Sequence, residues 1–222
     1  MAPRSRPALR ILAAGAVLAC TITSAAACTS SGSSAPPSSA SPTFDGLTTA
    51  QAQAALLTQA EVGNGLSVSD LKPHDYPLPC TPTAKPLSKL VPPVAHASQT
   101  WSDKTDSIEI TQTIDNYGDE KTAQHALDLT QAGMSCDSGE IGSVPVTIGK
   151  PQDLSKNIKA AVDSIQAWAL SASTSHETVI VAKIGTQLVT MVFGVLPGVP
   201  RNAFDAATIV QDAMAKVTQA TQ

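Results

Sequence analysis

The pattern of apolar and polar residues changes along the chain, and each change marks a predicted element. Between residues 108 and 115 three isoleucines and a glutamine alternate with polar residues, which is typical of a half-exposed β-strand. Apolar residues fill both sets of alternating positions on either side of Gly185-Thr186, which indicates two central strands joined by a turn. The predicted strands are residues 95–101, 108–115, 164–171, 178–184 and 187–193.

Other segments repeat their apolar residues every three or four positions, as amphipathic helices do. The first such helix follows a capping box, Thr48 to Gln51, and is ended by the Gly63-Asn64-Gly65 cluster. The predicted helices are residues 49–58, 118 or 119 to about 136, and 203–217, with a short helical turn at 87–90.

These elements predict a fold class. The order α-β-β-α-β-β-β-α, with hairpins between successive strands, is typical of an α+β domain in which helices pack against an antiparallel sheet of about five strands. Two segments show neither period: 72–93, which is rich in Pro, is predicted to be irregular, and 138–159 is predicted to be mobile. A pocket between the sheet and these two segments is the expected ligand site, because ligands prefer clefts.

The N-terminal segment has the layout of a bacterial lipoprotein signal peptide. A basic start, an apolar stretch from Ile11 to Leu18 and three alanines precede Cys28. The apolar stretch is shorter than the roughly 20 residues that a spanning helix needs. Residues 1–27 are therefore predicted to be a signal peptide, and Cys28 is predicted to carry lipid, including a palmitate-type acyl chain, at the outer face of the cytoplasmic membrane.

Three alternatives to this anchor stay open. Cys20 is a rival lipid acceptor because Val17 stands three residues before it, whereas Ala25 stands three residues before Cys28. Plain secretion with cleavage after Ala27 and an uncleaved membrane helix are the other two.

Residues 29–42 contain seven Ser and three Pro, which is too little apolar surface to fold. Residues 28–43 are therefore predicted to be a disordered tether.

Composition limits the remaining part of the chain. The 14 basic and 18 acidic residues give a net charge of −4, and the arginines of the leader are lost on cleavage, so the mature protein is more acidic still. An acidic protein whose lysines are scattered is a poor partner for nucleic acid, and none is expected. Residues 44–222 are long enough for one domain with an adequate core.

Two cysteines remain after the leader and the lipidated residue. Cys80 and Cys136 form an even pair in an oxidising compartment, so a disulfide is predicted. The alternative, a reactive thiol site, lacks a Cys-x-x-Cys motif or an adjacent His.

A family resemblance rests on several features of this layout. Residues 56–66, Leu-Leu-Thr-Gln-Ala-Glu-Val-Gly-Asn-Gly-Leu, are similar to the opening of actinobacterial lipoproteins that carry a sensor-like domain. The same module resembles the extracellular end of mycobacterial PknH-type serine/threonine kinases. Cys80 after a Pro-rich stretch, Tyr117 before an Ala-rich helix, Cys136 at its end and the late hairpin also match.

The resemblance covers roughly residues 44 to 219 and implies an extracytoplasmic domain with a cleft. Members often carry two disulfides, whereas this chain has cysteines for one. The chain has no kinase segment, so a signalling role would need a separate partner.

Candidate chemistry is sparse. No Gly-x-Ser-x-Gly elbow or His-Glu-x-x-His helix occurs, so no catalytic residue, metal site or cofactor is predicted. A His or Ser within hydrogen-bond reach of an Asp in a cleft would favour an enzyme. The four histidines are far apart in sequence, at His74, His96, His125 and His176.

The tryptophans are the candidates for ligand contact. Trp101 and Trp168 are large aromatic side chains of the kind that dominate binding surfaces. Core packing under a helix is the alternative for both, favoured for Trp168 and evenly balanced for Trp101.

The predicted function is a lipid-anchored extracytoplasmic binding or sensor-like domain without catalysis, whose ligand is unknown. The alternative is a structural or accessory envelope protein that docks a membrane or cell-wall partner, and the third is an exported hydrolase. The expected partners are the membrane, through the N-terminal lipid, and an unidentified small ligand or envelope protein.

The anchor can be tested by substitution. Cys28→Ser is expected to release the protein from membranes, because the acceptor thiol is lost, and Cys20→Ser should leave it attached. Fractionation of cells into membrane and soluble material measures the difference. Unchanged attachment of the Cys28→Ser variant would assign the anchor to Cys20 or to a retained helix.

Overall fold

The computed structural model describes residues 46–71, 75–200 and 204–222. The lipidation candidates Cys20 and Cys28 lie outside these ranges. The helices of the described residues are α1 (Thr49–Ala54), α2 (Gln59–Val62), α3 (Leu87–Leu90), α4 (Glu120–Gly133) and α5 (Ala206–Ala220). The strands are β1 (Leu66–Val68), β2 (Ala95–Asp103), β3 (Ile108–Asn116), β4 (Ser138–Ile141), β5 (Val144–Ile148), β6 (Gln152–Asp153), β7 (Ser164–Ser171), β8 (His176–Ile184) and β9 (Gln187–Val195).

One sheet contains all of these strands, in the order β1-β2-β3-β9-β8-β7-β5-β4, and β6 pairs with β7. Every pairing between described strands is antiparallel. The predicted α+β class with an antiparallel sheet is confirmed. The predicted count of about five strands and the element order are wrong, because the five predicted strands are joined by four short ones, β1, β4, β5 and β6.

Three of the missed strands occupy the segment that was predicted to be mobile. β4 and β5 form a hairpin from Ser138 to Ile148, and Gly149 continues the ladder because its N–H donates to the Ala169 carbonyl at 2.7 Å. Pro145 and Pro151 interrupt the alternation of apolar and polar residues in this segment, so the two-residue period of a strand cannot be recognised from the sequence. The segment is therefore ordered because its strands pair with β7, and not because its own sequence has a strong propensity to form strands.

The central strands are covered on both sides. One face of the sheet packs against α1, α2 and α5, and the alternation predicted for β3 is confirmed because Ile110 and Ile114 are both buried in this core. The other face packs against α4 in a second core, which includes Val181 and Leu188.

The first predicted helix is divided in two. The capping box at Thr48 and Gln51 is present, but α1 ends at Ala54 and α2 begins at Gln59. Between them the Leu57 N–H donates to the buried Gln112 Oε1 at 2.8 Å, outside any helix ladder. Thr58 then opens α2 with a capping box of its own.

The predicted disulfide is confirmed. Cys80 and Cys136 are bonded, with Cα atoms 5.7 Å apart and a sequence separation of 56. On the chain-entropy model, closing a loop of this size stabilises the fold by roughly 4 kcal/mol. The bond holds the segment around Cys80 against the end of α4, where the Cys80 N–H also donates to the Gly133 carbonyl at 3.0 Å.

A buried polar cluster holds the start of the described chain. The Asn116 Nδ2 donates to the Leu47 carbonyl at 2.8 Å, and the Asn116 Oδ1 accepts from the Gly118 N–H at 3.0 Å. Gly46 lies against this cluster with a φ of 106°, and a Cβ at that position would overlap the side chains of Thr186 and Gln187.

Gly46 and Gly63 offer a matched test of this contact. Gly63 has a φ of 107° and nothing within 4 Å of a built Cβ, so Gly63→Ala is expected to cost only backbone strain, about 1–3 kcal/mol. Gly46→Ala adds steric overlap and should cost about 1–3 kcal/mol more in the free energy of unfolding. Urea denaturation of the two variants measures the difference. An equal loss in the free energy of unfolding of the two variants would show that the space around Gly46 can accommodate a Cβ.

Candidate ligand-binding cleft

A cleft of about 430 Å³ opens on the face of the sheet that α4 covers only in part. Its floor is formed by β3, β9 and β8, and its walls by the segment Tyr76–Pro79, Met134 and Ile141. The cleft therefore lies between the sheet and described residues of the two segments, Tyr76–Pro79 and Ile141, which is where a pocket was predicted. Its volume falls in the range of small-molecule sites, about 300–1,000 Å³.

The floor consists of residues in register on three neighbouring strands. β9 lies between β3 and β8, so each β9 residue has a partner on both sides. Alternate residues share a face, which places three successive rows under the cleft. The rows, each written in the order β3, β9, β8, are Glu109-Gly194-Glu177, Thr111-Val192-Val179 and Thr113-Thr190, whose β8 partner Val181 is buried in the core beneath α4.

The disulfide fixes the wall opposite this floor. Leu78 packs against Gly133, where a Cβ would overlap the leucine side chain, and the Pro79 carbonyl lies against Gly139. The same carbonyl accepts from the Glu140 N–H at 3.0 Å. These contacts seat Tyr76–Pro79 on α4 and β4 immediately before the bridged Cys80.

One end of the cleft is acidic. Glu109 and Glu177 face it from either side of Gly194, and Asp106 lines the same end. Burial raises the pKa of Glu177, and the negative charge of Glu109 raises it further, while a hydrogen bond from Ser175 acts in the opposite direction. No Lys or Arg is found among the described residues that line the cleft.

The predicted ligand-contact residues lie elsewhere. Trp101 is 0 % exposed in the core beneath α1, α2 and α5, and Trp168 is 1 % exposed in the core beneath α4. Core packing, the alternative interpretation for both, is the role that the structure gives them. The acidic row was missed because the strand period places Glu109 on a polar face but does not reveal which strands lie beside it.

A second hollow, around His96, contains contacts of the kind named above as favouring an enzyme: a His beside an Asp, and the Ser88 Oγ, which donates to the Asp75 Oδ2 at 2.6 Å. The His96 Nδ1 lies 2.7 Å from the Asp115 Oδ1, and this hydrogen bond is the main reason that the pKa of His96 is raised. The nearby Ser98 Oγ is bonded to the Gln112 carbonyl and to Thr113. In the described part of the chain, no hydrogen bond joins His96 to a serine.

No described helix is long and apolar enough to cross a membrane. Within residues 46–71, 75–200 and 204–222, no group of three or more His, Cys, Asp or Glu side chains is placed to hold a metal ion.

Comparison with known proteins identifies a shared fold. No protein-family model matches the chain, and no curated protein matches it. Among solved structures, the extracellular domain of PknH from Mycobacterium tuberculosis is 11% identical, with a TM-score of 0.57 over 80% of this chain and 98% of that one. The fold predicted from the resemblance is thus confirmed.

A second similar structure is cyanobacterial PsbP (CyanoP) from Synechocystis sp. PCC 6803, determined in solution. It is 9% identical, with a TM-score of 0.31 over 70% of this chain and 81% of that one. A similarity of this size supports no structural or functional argument.

The electrostatics of the cleft give a stability prediction. Because its pKa is raised on folding, Glu177 binds a proton more tightly in the folded state, and the stability that this confers is lost as pH rises from about 4.5 through the folded pKa. Glu177→Gln carries no charge, so it is expected to have a higher Tm than the wild type at pH 7 and a smaller advantage at pH 4.

Glu120→Gln is the matched control for this measurement. Glu120 lies in the first turn of α4, where a carboxylate is favourable, so its loss should lower stability by about 0.3–1 kcal/mol. A lower Tm for Glu177→Gln at pH 7 would contradict the electrostatic strain inferred between Glu177 and Glu109.

Proposed function

We propose that this protein is an extracytoplasmic binding domain that takes a small ligand in the cleft between β3, β9, β8 and the Tyr76–Pro79 wall. It catalyses no reaction, and lipid on Cys28 holds it to the outer face of the bacterial cytoplasmic membrane through the tether 28–43. The observation that carries this proposal is the cleft itself, a cavity with an apolar middle and a few convergent polar groups.

The disulfide and the fold support the location. Bonds such as Cys80–Cys136 persist in oxidising compartments and are rare in the cytosol. The fold is shared with a domain that is extracellular in PknH.

The alternatives have weaker support. Docking through an apolar surface needs a contiguous patch. Two exposed apolar residues of the sheet, Val68 on β1 and Val144 on β5, lie toward opposite edges and do not form one patch together. A hydrolase would need a nucleophile on the His96–Asp115 pair, and the Ser98 hydroxyl is bonded elsewhere.

Gly194 offers a way to close the cleft without removing any polar group. A Cβ at Gly194 would make only ordinary contacts with Glu109 and Glu177, at 3.8 and 3.9 Å, so Gly194→Ala should leave the cleft open. Gly194→Leu places a branched side chain in the space between the two glutamates. The pair therefore isolates occupancy of the cleft from other effects of substitution.

Native mass spectrometry of protein extracted gently from its own membrane is the test. Wild type and Gly194→Ala are expected to carry a small-molecule adduct, and Gly194→Leu to lose it. The same adduct on all three proteins would place the ligand outside the cleft. A stoichiometric protein partner in place of an adduct would favour the docking role.

A further inference from the structure

We infer that the cleft selects a ligand in which a cationic, ammonium-type group is joined to an apolar body. This inference rests on the proposed function, that the cleft holds a small ligand, and adds the chemical class of that ligand. It follows from three features of the cleft: the spacing of its glutamates, its unbalanced charge and the apolar row beside them.

The first feature is the geometry of the acidic row. Glu109 and Glu177 are each in register with Gly194 and project to the same face, so their Cα atoms are about 10 Å apart across two strand spacings. Gly194 has no side chain to fill the gap between them. An ammonium group has three donors and no acceptor, so it can bond both carboxylates from a position above the glycine.

The second feature is the charge of the cleft. Every charged side chain that lines it is acidic: Glu109 on β3, Asp106 in the turn before β3 and Glu177 on β8. The neighbouring His176 alternates to the other face of the sheet, where it lines a different hollow. Glu177 is half-buried beside the exposed Glu109 and Asp106, and a nearby cation compensates a half-buried carboxylate, so a bound ammonium is stabilised where a carboxylate or phosphate is repelled.

The third feature is the position of the apolar surface. Val192 and Val179 lie, with Thr111, in the next row of the floor, about 7 Å along the strands from the glutamates. Leu170, Met134 and Ile141 extend this surface from β7 and the walls. A ligand with its cation between the glutamates therefore lays the following part of its chain on apolar side chains.

Three probes of one length separate charge from apolar burial. Hexylammonium, 1-hexanol and hexanoate share the same six-carbon body and differ in charge, and each is titrated into the full chain by calorimetry. Hexylammonium is expected to bind at least about tenfold more tightly than 1-hexanol, a difference of about 1.4 kcal/mol, and hexanoate should bind most weakly. Cleft binding is checked with Gly194→Leu, which should lose hexylammonium.

Substitution of the two glutamates tests whether they cause the preference for hexylammonium over 1-hexanol. Glu109→Gln and Glu177→Gln keep the shape of the cleft and are each expected to weaken hexylammonium about tenfold while leaving 1-hexanol unchanged. Glu120→Gln, on the exposed first turn of α4, is the matched control and should bind all three probes as the wild type does. Thermal unfolding of each variant shows that the fold is retained.

The outcomes separate this inference from the proposed function. Equal binding of the three probes, or binding of hexylammonium that neither Gln variant weakens, overturns the cationic class and leaves the cleft a ligand site. Failure of hexylammonium to bind the wild type also overturns it, and co-purification with the Gly194 variants then decides the proposed function independently.

Discussion

The architecture depends on the antiparallel insertion of β9 between β3 and β8. This pairing joins the first hairpin of the sheet to the last, so it links residues that are far apart in sequence. Because the central strands bury both of their faces, helices must cover the sheet on two sides. Three helices cover one side and α4 covers part of the other, and the uncovered part of that second side becomes the floor of the cleft.

The acidic row illustrates how a binding site can oppose stability. Glu177 is partly buried opposite a like charge, and burial and the charge of Glu109 both raise its pKa. A core would remove such strain by using an apolar residue. Side chains with shifted pKa values of this kind cluster at functional sites, so this one agrees with the function proposed for the cleft.

Local sequence signals predicted the parts of the fold that each segment determines alone. The period of β3 placed Ile110 and Ile114 in the core, and the capping box at Thr48 placed the start of α1. The partner of a strand is not encoded in its own period, so the β3–β9 pairing and the Glu109–Glu177 row were not predictable. The short strands were not predictable for the same reason, because they form only by pairing with adjacent strands. For the tryptophans the sequence favoured core packing at Trp168 and left Trp101 evenly balanced, and both face inward.

The bridge between Cys80 and Cys136 links the shape of the cleft to the redox state of its surroundings. The sheet is held by its own ladders and by two cores, whereas the Tyr76–Pro79 wall rests on a few contacts with α4 and β4 beside the bridged Cys80. A newly made chain whose thiols are still reduced can therefore assemble the floor before the wall is fixed. On the proposed function, the shape of the cleft would then be completed only when an oxidant joins the two sulfurs.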